Sequence, residues 1–278
     1  MAPERFEIQT AGATLVGERW PRPVATGRPT VVFLHAGVCD RRSWYGVCDV
    51  LAGEADLVAY DRRGFGETTT DAEPFSHLDD LLAVIDWLGG GAVWLVGNSM
   101  GGGLALDAAI AHPAAVAGLV LIAPAVSGLP WGEVEFDPET LRLETAIEAA
   151  TATGDTESVN RLETHLWLDG RTAPEGRVGG ATRELALAMN ALALASDLPE
   201  DAGASGVDAW SRLEEITVPV TVAWGALDLF LIEVCRLLLG RLPHATSHEF
   251  AGMAHLPSLE SPGAVADLVR AAAGEPAT

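Results

Sequence analysis

The chain of 278 residues has a formal net charge of −22 and is 49% apolar, which suits one large α/β domain with an inserted subdomain and a single sizeable core. An acidic chain with no basic stripe repels a phosphate backbone, so nucleic acid is not expected as a partner, and no run of about 18 apolar residues offers a membrane span. Three cysteines, Cys39, Cys48 and Cys235, are odd in number and lack metal-ligand spacing, so no disulfide framework is expected and a reducing cytoplasm is the default location.

The N-terminus, Met1 to Phe6, has no basic segment followed by an apolar core, so no signal peptide is expected. All 17 basic residues are arginine, which reads as compositional bias. Along the chain, apolar β-branched runs alternate with helical patterns, the signature of strand–helix units and a mostly parallel sheet. Eight strands are predicted: Phe6–Thr10, Ala13–Arg19, Thr30–His35, Asp56–Tyr60, Val93–Val96, Gly118–Ile122, Val220–Trp224 and Ser247–Phe250. Ala11-Gly12 reads as a hairpin turn, so the sheet opens with an antiparallel pair. Helices are predicted over Ser43–Leu51, His77–Trp87, Met100–Ala111, Leu229–Leu239 and Gly263–Ala272, and the apolar spacing at 78, 81, 82 and 85 marks one buried face.

The alternation stops after Ile122. Residues 128–212 read as helical, with candidates Pro138–Thr151, Thr156–Leu168 and Ala181–Ser196, the second behind Asp155 as its N-cap. The expected division is a core of residues 1–127 and 213–278 and a helical cap of residues 128–212. That insert holds 16 acids and 6 arginines, which gives no reason to expect anionic substrates. Gly179-Gly180 and Asp201 to Gly206 read as loops that allow the cap to flex.

Residues 92 to 111 read AVWLVGNSMGGGLALDAAIA. A serine lies between a strand and a helix, with Gly97 and Gly101 two residues away on either side. A sharp strand-to-helix turn lifts such a side chain above the carboxyl edge of the sheet, and glycine relieves the crowding that the turn creates. The N–H of Met100 then points at the site with the helix dipole behind it. A serine hydroxyl needs a base, and the base needs an orienting acid. Of seven histidines, His255 alone lies after Ser99 in a loop leaving the last strand at its carboxyl end, where ligand crevices of such sheets lie. Asp228 follows the strand ending at Trp224; Glu233, inside the next helix, is the weaker candidate. The order Ser, Asp, His fits this arrangement. A second oxyanion donor is expected from the loop His35 to Asp40, with Gly37 assigned and its neighbour Val38 left open.

Together these pieces resemble the α/β-hydrolase superfamily over nearly the whole chain outside the insert. Asp61-Arg62-Arg63-Gly64-Phe65-Gly66-Glu67-Thr68 is similar to that superfamily's D-x-R-G-x-G-x-S segment, with Thr68 in place of serine, and is read as architectural. The resemblance is closest to the small esterase, enol-lactonase and C–C-bond hydrolase group, whose lid is inserted after the sixth strand. It implies an α/β-hydrolase fold with helices on both faces of the sheet. It further implies Ser99 as nucleophile, His255 as general base and then acid, Asp228 as orienter, and no metal or organic cofactor.

The activity expected first is hydrolysis of an ester or lactone of a small, largely apolar molecule. C–C hydrolysis of a vinylogous diketone and ligand binding with little turnover are the alternatives. Substrate contacts are assigned to Val38, Trp131 and Trp167, with Trp44, His165, Met189 and Asn190 as further candidates. Cys39, near the expected oxyanion loop, reads as a buried thiol rather than a reactive one. Nothing in the sequence decides between a monomer and a homo-oligomer.

Overall fold

The computed structural model describes residues 2–22, 30–71, 74–130, 138–198 and 202–274. Eight strands run β1 Glu4–Thr10, β2 Ala13–Trp20, β3 Val31–Leu34, β4 Leu57–Tyr60, β5 Val93–Asn98, β6 Val116–Ile122, β7 Val220–Gly225 and β8 Ala245–Phe250. They form one sheet in the order β1-β2-β4-β3-β5-β6-β7-β8, with the two-residue strand Thr69–Thr70 added beside β2. β1 pairs antiparallel with β2 across the Ala11-Gly12 turn, and β2 antiparallel with β4. Thr69–Thr70 also pairs antiparallel with β2, and every pairing among β3 to β8 is parallel. The eight predicted strands and the opening hairpin match this architecture; the short ninth strand has no hydrophobic run to announce it.

Side-chain alternation explains why the central strands are apolar throughout. Val32, Leu34, Leu119 and Leu121 face one core, while Val31, Phe33, Val120 and Ile122 face the other. The first core is closed by α2 His77–Trp87, α3 Met100–Ala111 and α7 Leu229–Arg241. The second is closed by α1 Tyr45–Leu51 and α9 Pro262–Ala273. A strand buried on both faces needs no polar side, so its sequence is a continuous apolar run.

Between β6 and β7 the described elements are helical: α4 Pro138–Ala152, α5 Thr156–Thr164 and α6 Gly180–Leu194, then a 3₁₀ turn Trp210–Glu215 that straddles the expected boundary at residue 212. Asp155 caps α5, accepting from Ser158 N–H at 3.1 Å. The expected continuous helix to Leu168 is interrupted. After Thr164 the chain widens into a π-helical turn, His165–Gly170. Arg177 satisfies two carbonyls that the end of this turn leaves free, donating to Leu168 O and Asp169 O at 2.8 and 2.6 Å. The short helix α8 Pro257–Glu260 precedes α9. Among the described residues no helix is long and apolar enough to cross a membrane.

Candidate active site

The strand order sets where the predicted residues meet. β3 and β5 are neighbours, so the loop after β3 lies beside the turn after β5; β7 and β8 are neighbours, so the loops carrying Asp228 and His255 also adjoin. All leave the sheet at its carboxyl edge.

Ser99 follows β5 with φ 54° and ψ −119°, one of two described non-glycine residues with positive φ. Its N–H donates to Ile122 O at 2.9 Å and its carbonyl accepts from Ala125 N–H at 3.0 Å, so strand β6 and its exit hold the strained turn. The flanking glycines are required by contact. A Cβ at Gly97 would lie 2.3 Å from Gly101 O, and one at Gly101 would lie 2.2 Å from Leu34 O. Among the described residues no hydrogen bond joins the Ser99 hydroxyl to His255; such contacts are often loose before a substrate is bound.

Asp228 and His255 are each 2% exposed. His255 Nδ1 lies 2.7 Å from Asp228 Oδ2, a geometry in which the ring donates to the carboxylate. The Asp228 side chain makes no capping bond to α7 and turns instead to His255. Glu233, the weaker candidate, is exposed and paired with Arg236. His255 is also held from the insert: its N–H donates to Trp167 O at 3.1 Å, and the two rings lie 4.7 Å apart.

Gly37 and Met100 also come together, since a Cβ on Gly37 would lie 2.5 Å from Met100 Sδ. Gly37, Val38 and Met100 line a cavity of about 570 Å³, which Glu163, Asn190 and Leu194 line from the insert. Burial raises the Glu163 carboxyl above its ordinary range, against a hydrogen bond from Asn190 at 2.8 Å. Met100 borders a second cavity of about 440 Å³, where Asp107 accepts from Ser127 and Ser205 at 3.0 and 2.5 Å.

The remaining candidates divide by environment. Trp167 packs on His255 and does not line the cavity beside Val38. Trp131 lies outside the described residues. Trp44 is fully buried against Phe33, and Met189 is buried in the cluster that joins the insert to Ala36 and Cys39, so both are core. The His165 ring meets Ala173 O within the insert. His35 is buried against Arg62, and burial, with that charge, holds its pKa well below the ordinary value.

The Asp61–Thr68 segment is tied into the fold at both ends, while its Arg63, Gly64 and Phe65 line the 570 Å³ cavity. Asp61 accepts from the N–H groups of Arg41 and Glu67, both at 2.8 Å, and from the Arg41 side chain. Thr68 takes the place of the expected serine with its hydroxyl: it donates to Asp61 O at 2.7 Å and accepts from Val16 N–H at 2.9 Å.

One buried neighbour of the acid escapes the sequence reading. Arg171, from the insert, reaches Asp228 Oδ1 at 3.5 Å. No motif marks an arginine 57 residues away from its partner.

The sequence matches the alpha/beta hydrolase family over residues 31–268. It is 26% identical to the pimeloyl-[acyl-carrier protein] methyl ester esterase of Yersinia enterocolitica, over 86% of this chain and 91% of that protein. It is 27% identical to a 2-hydroxy-6-oxononadienedioate/2-hydroxy-6-oxononatrienedioate hydrolase of Burkholderia vietnamiensis, over 83% and 82%. Among solved structures, the esterase RhEst1 of a Rhodococcus species superposes with a TM-score of 0.76 at 22% identity, covering 99% of both chains.

Proposed function

The chain belongs to the alpha/beta hydrolase family, and from that premise we propose that it is a serine hydrolase of carboxylic esters or lactones of small molecules. The observation that carries this reading is the buried Asp228–His255 contact of 2.7 Å, on loops adjoining at the same sheet edge as the strained Ser99 turn. A binding protein has no use for a base aligned on a buried acid.

In this proposal the Ser99 hydroxyl attacks the substrate carbonyl as His255 Nε2 takes its proton, and Asp228 orients and stabilises the imidazolium. The N–H groups of Gly37 and Met100 receive the oxyanion, with Val38 as the neighbouring donor. Collapse expels the alcohol, which takes the proton from His255. Water activated by His255 then hydrolyses the acyl-enzyme. Residues 128–212 act as the cap over a core of residues 1–127 and 213–278; Val38 borders the substrate, and Trp167 backs the His255 ring. The cavity beside Gly37 and Val38 suits a small-molecule substrate.

The same three residues serve C–C hydrolysis of a vinylogous diketone, a second reading favoured by the similarity to the Burkholderia protein. Exposure to a fluorophosphonate, followed by intact mass and peptide mapping, tests the nucleophile. A single adduct on Ser99, absent in Ser99→Ala, is expected, with turnover of that variant reduced by roughly 10⁶. Wild-type turnover in Ser99→Ala overturns the reading. An ester, lactone and diketone panel then decides between the two reactions.

A further inference from the structure

Among the described residues two groups reach the buried carboxylate of Asp228. His255 Nδ1 meets Oδ2 at 2.7 Å, and Arg171 Nη2 donates to Oδ1 at 3.5 Å. No backbone N–H of the described residues shares that task. Burying a carboxylate without a counterion is costly, and among the described residues Arg171, 1% exposed at its side chain, is the arginine that faces this one.

Arg171 is itself anchored. Its Nη1 donates to Thr140 Oγ1 of α4 at 2.5 Å, and its guanidinium lies 5.7 Å from the centre of the Phe230 ring. It directly follows the π-helical turn whose Trp167 holds His255 by backbone and ring. Six residues on, Arg177 donates to Gly252 O at 3.1 Å and pairs at 2.6 Å with Glu260, which accepts from Ala254 N–H at 2.7 Å. One segment of the insert, residues 165–177, thus grips both the acid loop and the base loop. Single π turns gather at functional sites because they redirect a few backbone groups without ending the helix.

We propose that Arg171 is a positioning residue for the Ser99 site: from the cap it holds Asp228 Oδ1 so that Oδ2 faces His255. The proposal rests on the triad reading above. Among the described residues, the charged and titratable groups around the pair are Arg171, the buried Cys235 thiol of α7, which feels the Asp228 charge, and the Arg177–Glu260 pair, in which Arg177 comes from the insert and Glu260 from the His255 loop. Without the guanidinium on Oδ1, the Asp228 carboxylate acts more fully on the His255 ring, which moves the acid limb of activity to higher pH. Arg171 lines neither cavity, so KM for a small ester stays near its wild-type value.

The test compares wild type, Arg171→Met, Arg171→Lys and Thr140→Val on p-nitrophenyl acetate across pH, with the fluorophosphonate adduct scored in each. Arg171→Met is expected to lose about ten- to a hundredfold in kcat, the range set by misplacement of a catalytic group. Its acid limb should rise by about one pH unit. Arg171→Lys recovers most of the loss, and Thr140→Val, which removes the hydrogen bond from Arg171 Nη1, shifts the limb the same way by less. Folded Arg171→Met with wild-type kcat and an unmoved limb overturns the proposal. Should Arg171→Met fail to fold, an unmoved limb in Thr140→Val does so. Wild type that neither labels nor turns over overturns the triad reading, and this inference with it. Active wild type beside an indifferent Arg171→Met overturns the inference alone.

Discussion

Gly225 and Ala254 approach so closely that a Cβ on Gly225 would lie 2.0 Å from the Ala254 carbonyl oxygen. The contact joins the end of β7, three residues before Asp228, to the residue before His255. Leu227 N–H donates to Met253 O at 2.8 Å in the same place. Asp228 and His255 therefore sit on loops stitched through backbone, and the stitch requires a residue without a side chain.

Gly225→Ala is expected to push the two loops apart. Overpacking against backbone costs about 1–3 kcal/mol, and turnover should fall by more than the stability loss accounts for. Thermal melts and ester kinetics on the same preparation check this; a variant with wild-type kcat contradicts it.

Acid lability follows from two buried histidines. Burial, with Arg62 and Arg63 nearby, pushes His77 down to about 3, and burial with Arg62 holds His35 well below its ordinary value. The unfolded chain binds these protons near pH 6.5 and the folded chain does not. Their stabilisation is complete above about pH 6.5 and is lost as pH falls below it, for His77 until about pH 3 and by up to about 1.4 kcal/mol per pH unit. Asp61 acts in the opposite sense, because burial raises it to about 6 and the folded state then takes up its proton first. The difference between wild type and His77→Phe isolates one ring: urea midpoints between pH 7 and 4 should fall less steeply in the variant. Equal slopes contradict the assignment.

Arg63 and Asp80 form a pair with both bonds at 2.8 Å and side-chain exposures of 4% and 2%. Asp80→Asn leaves the arginine charge buried without its counterion, at an expected cost of about 3–5 kcal/mol. A loss below 1 kcal/mol in chemical denaturation would falsify this.

None of the three cysteines should react with Ellman's reagent in the native protein. All are buried, and burial raises each thiol, with Asp40 adding to the effect at Cys39. All three should react in denaturant. Native labelling at Cys39 would instead mark the loop beside Gly37 as open to electrophiles.

Much of the fold was legible in the sequence because it is locally written. Strands such as Val116–Ile122 are apolar on both faces, and helices such as His77–Trp87 carry a one-sided apolar pattern, so their extents follow from burial. The turn at Ser99 announces itself through its glycines, whose missing Cβ atoms make room for neighbouring backbone. Asp228 and His255 could be selected because each follows a strand at the edge where such crevices form.

Periodicity says which face a side chain takes, not which distant group it will meet. Tertiary structure alone therefore decided the strand order, the widening of α5 after Thr164 and the placing of Trp167 on the His255 ring. It also made Trp44 and Met189 core rather than pocket. Arg171 is the plainest case. Its partner lies 57 residues away, and only the docking of the insert on the sheet edge brings the guanidinium to the carboxylate, where burial turns an ordinary surface-type residue into a neighbour of the site.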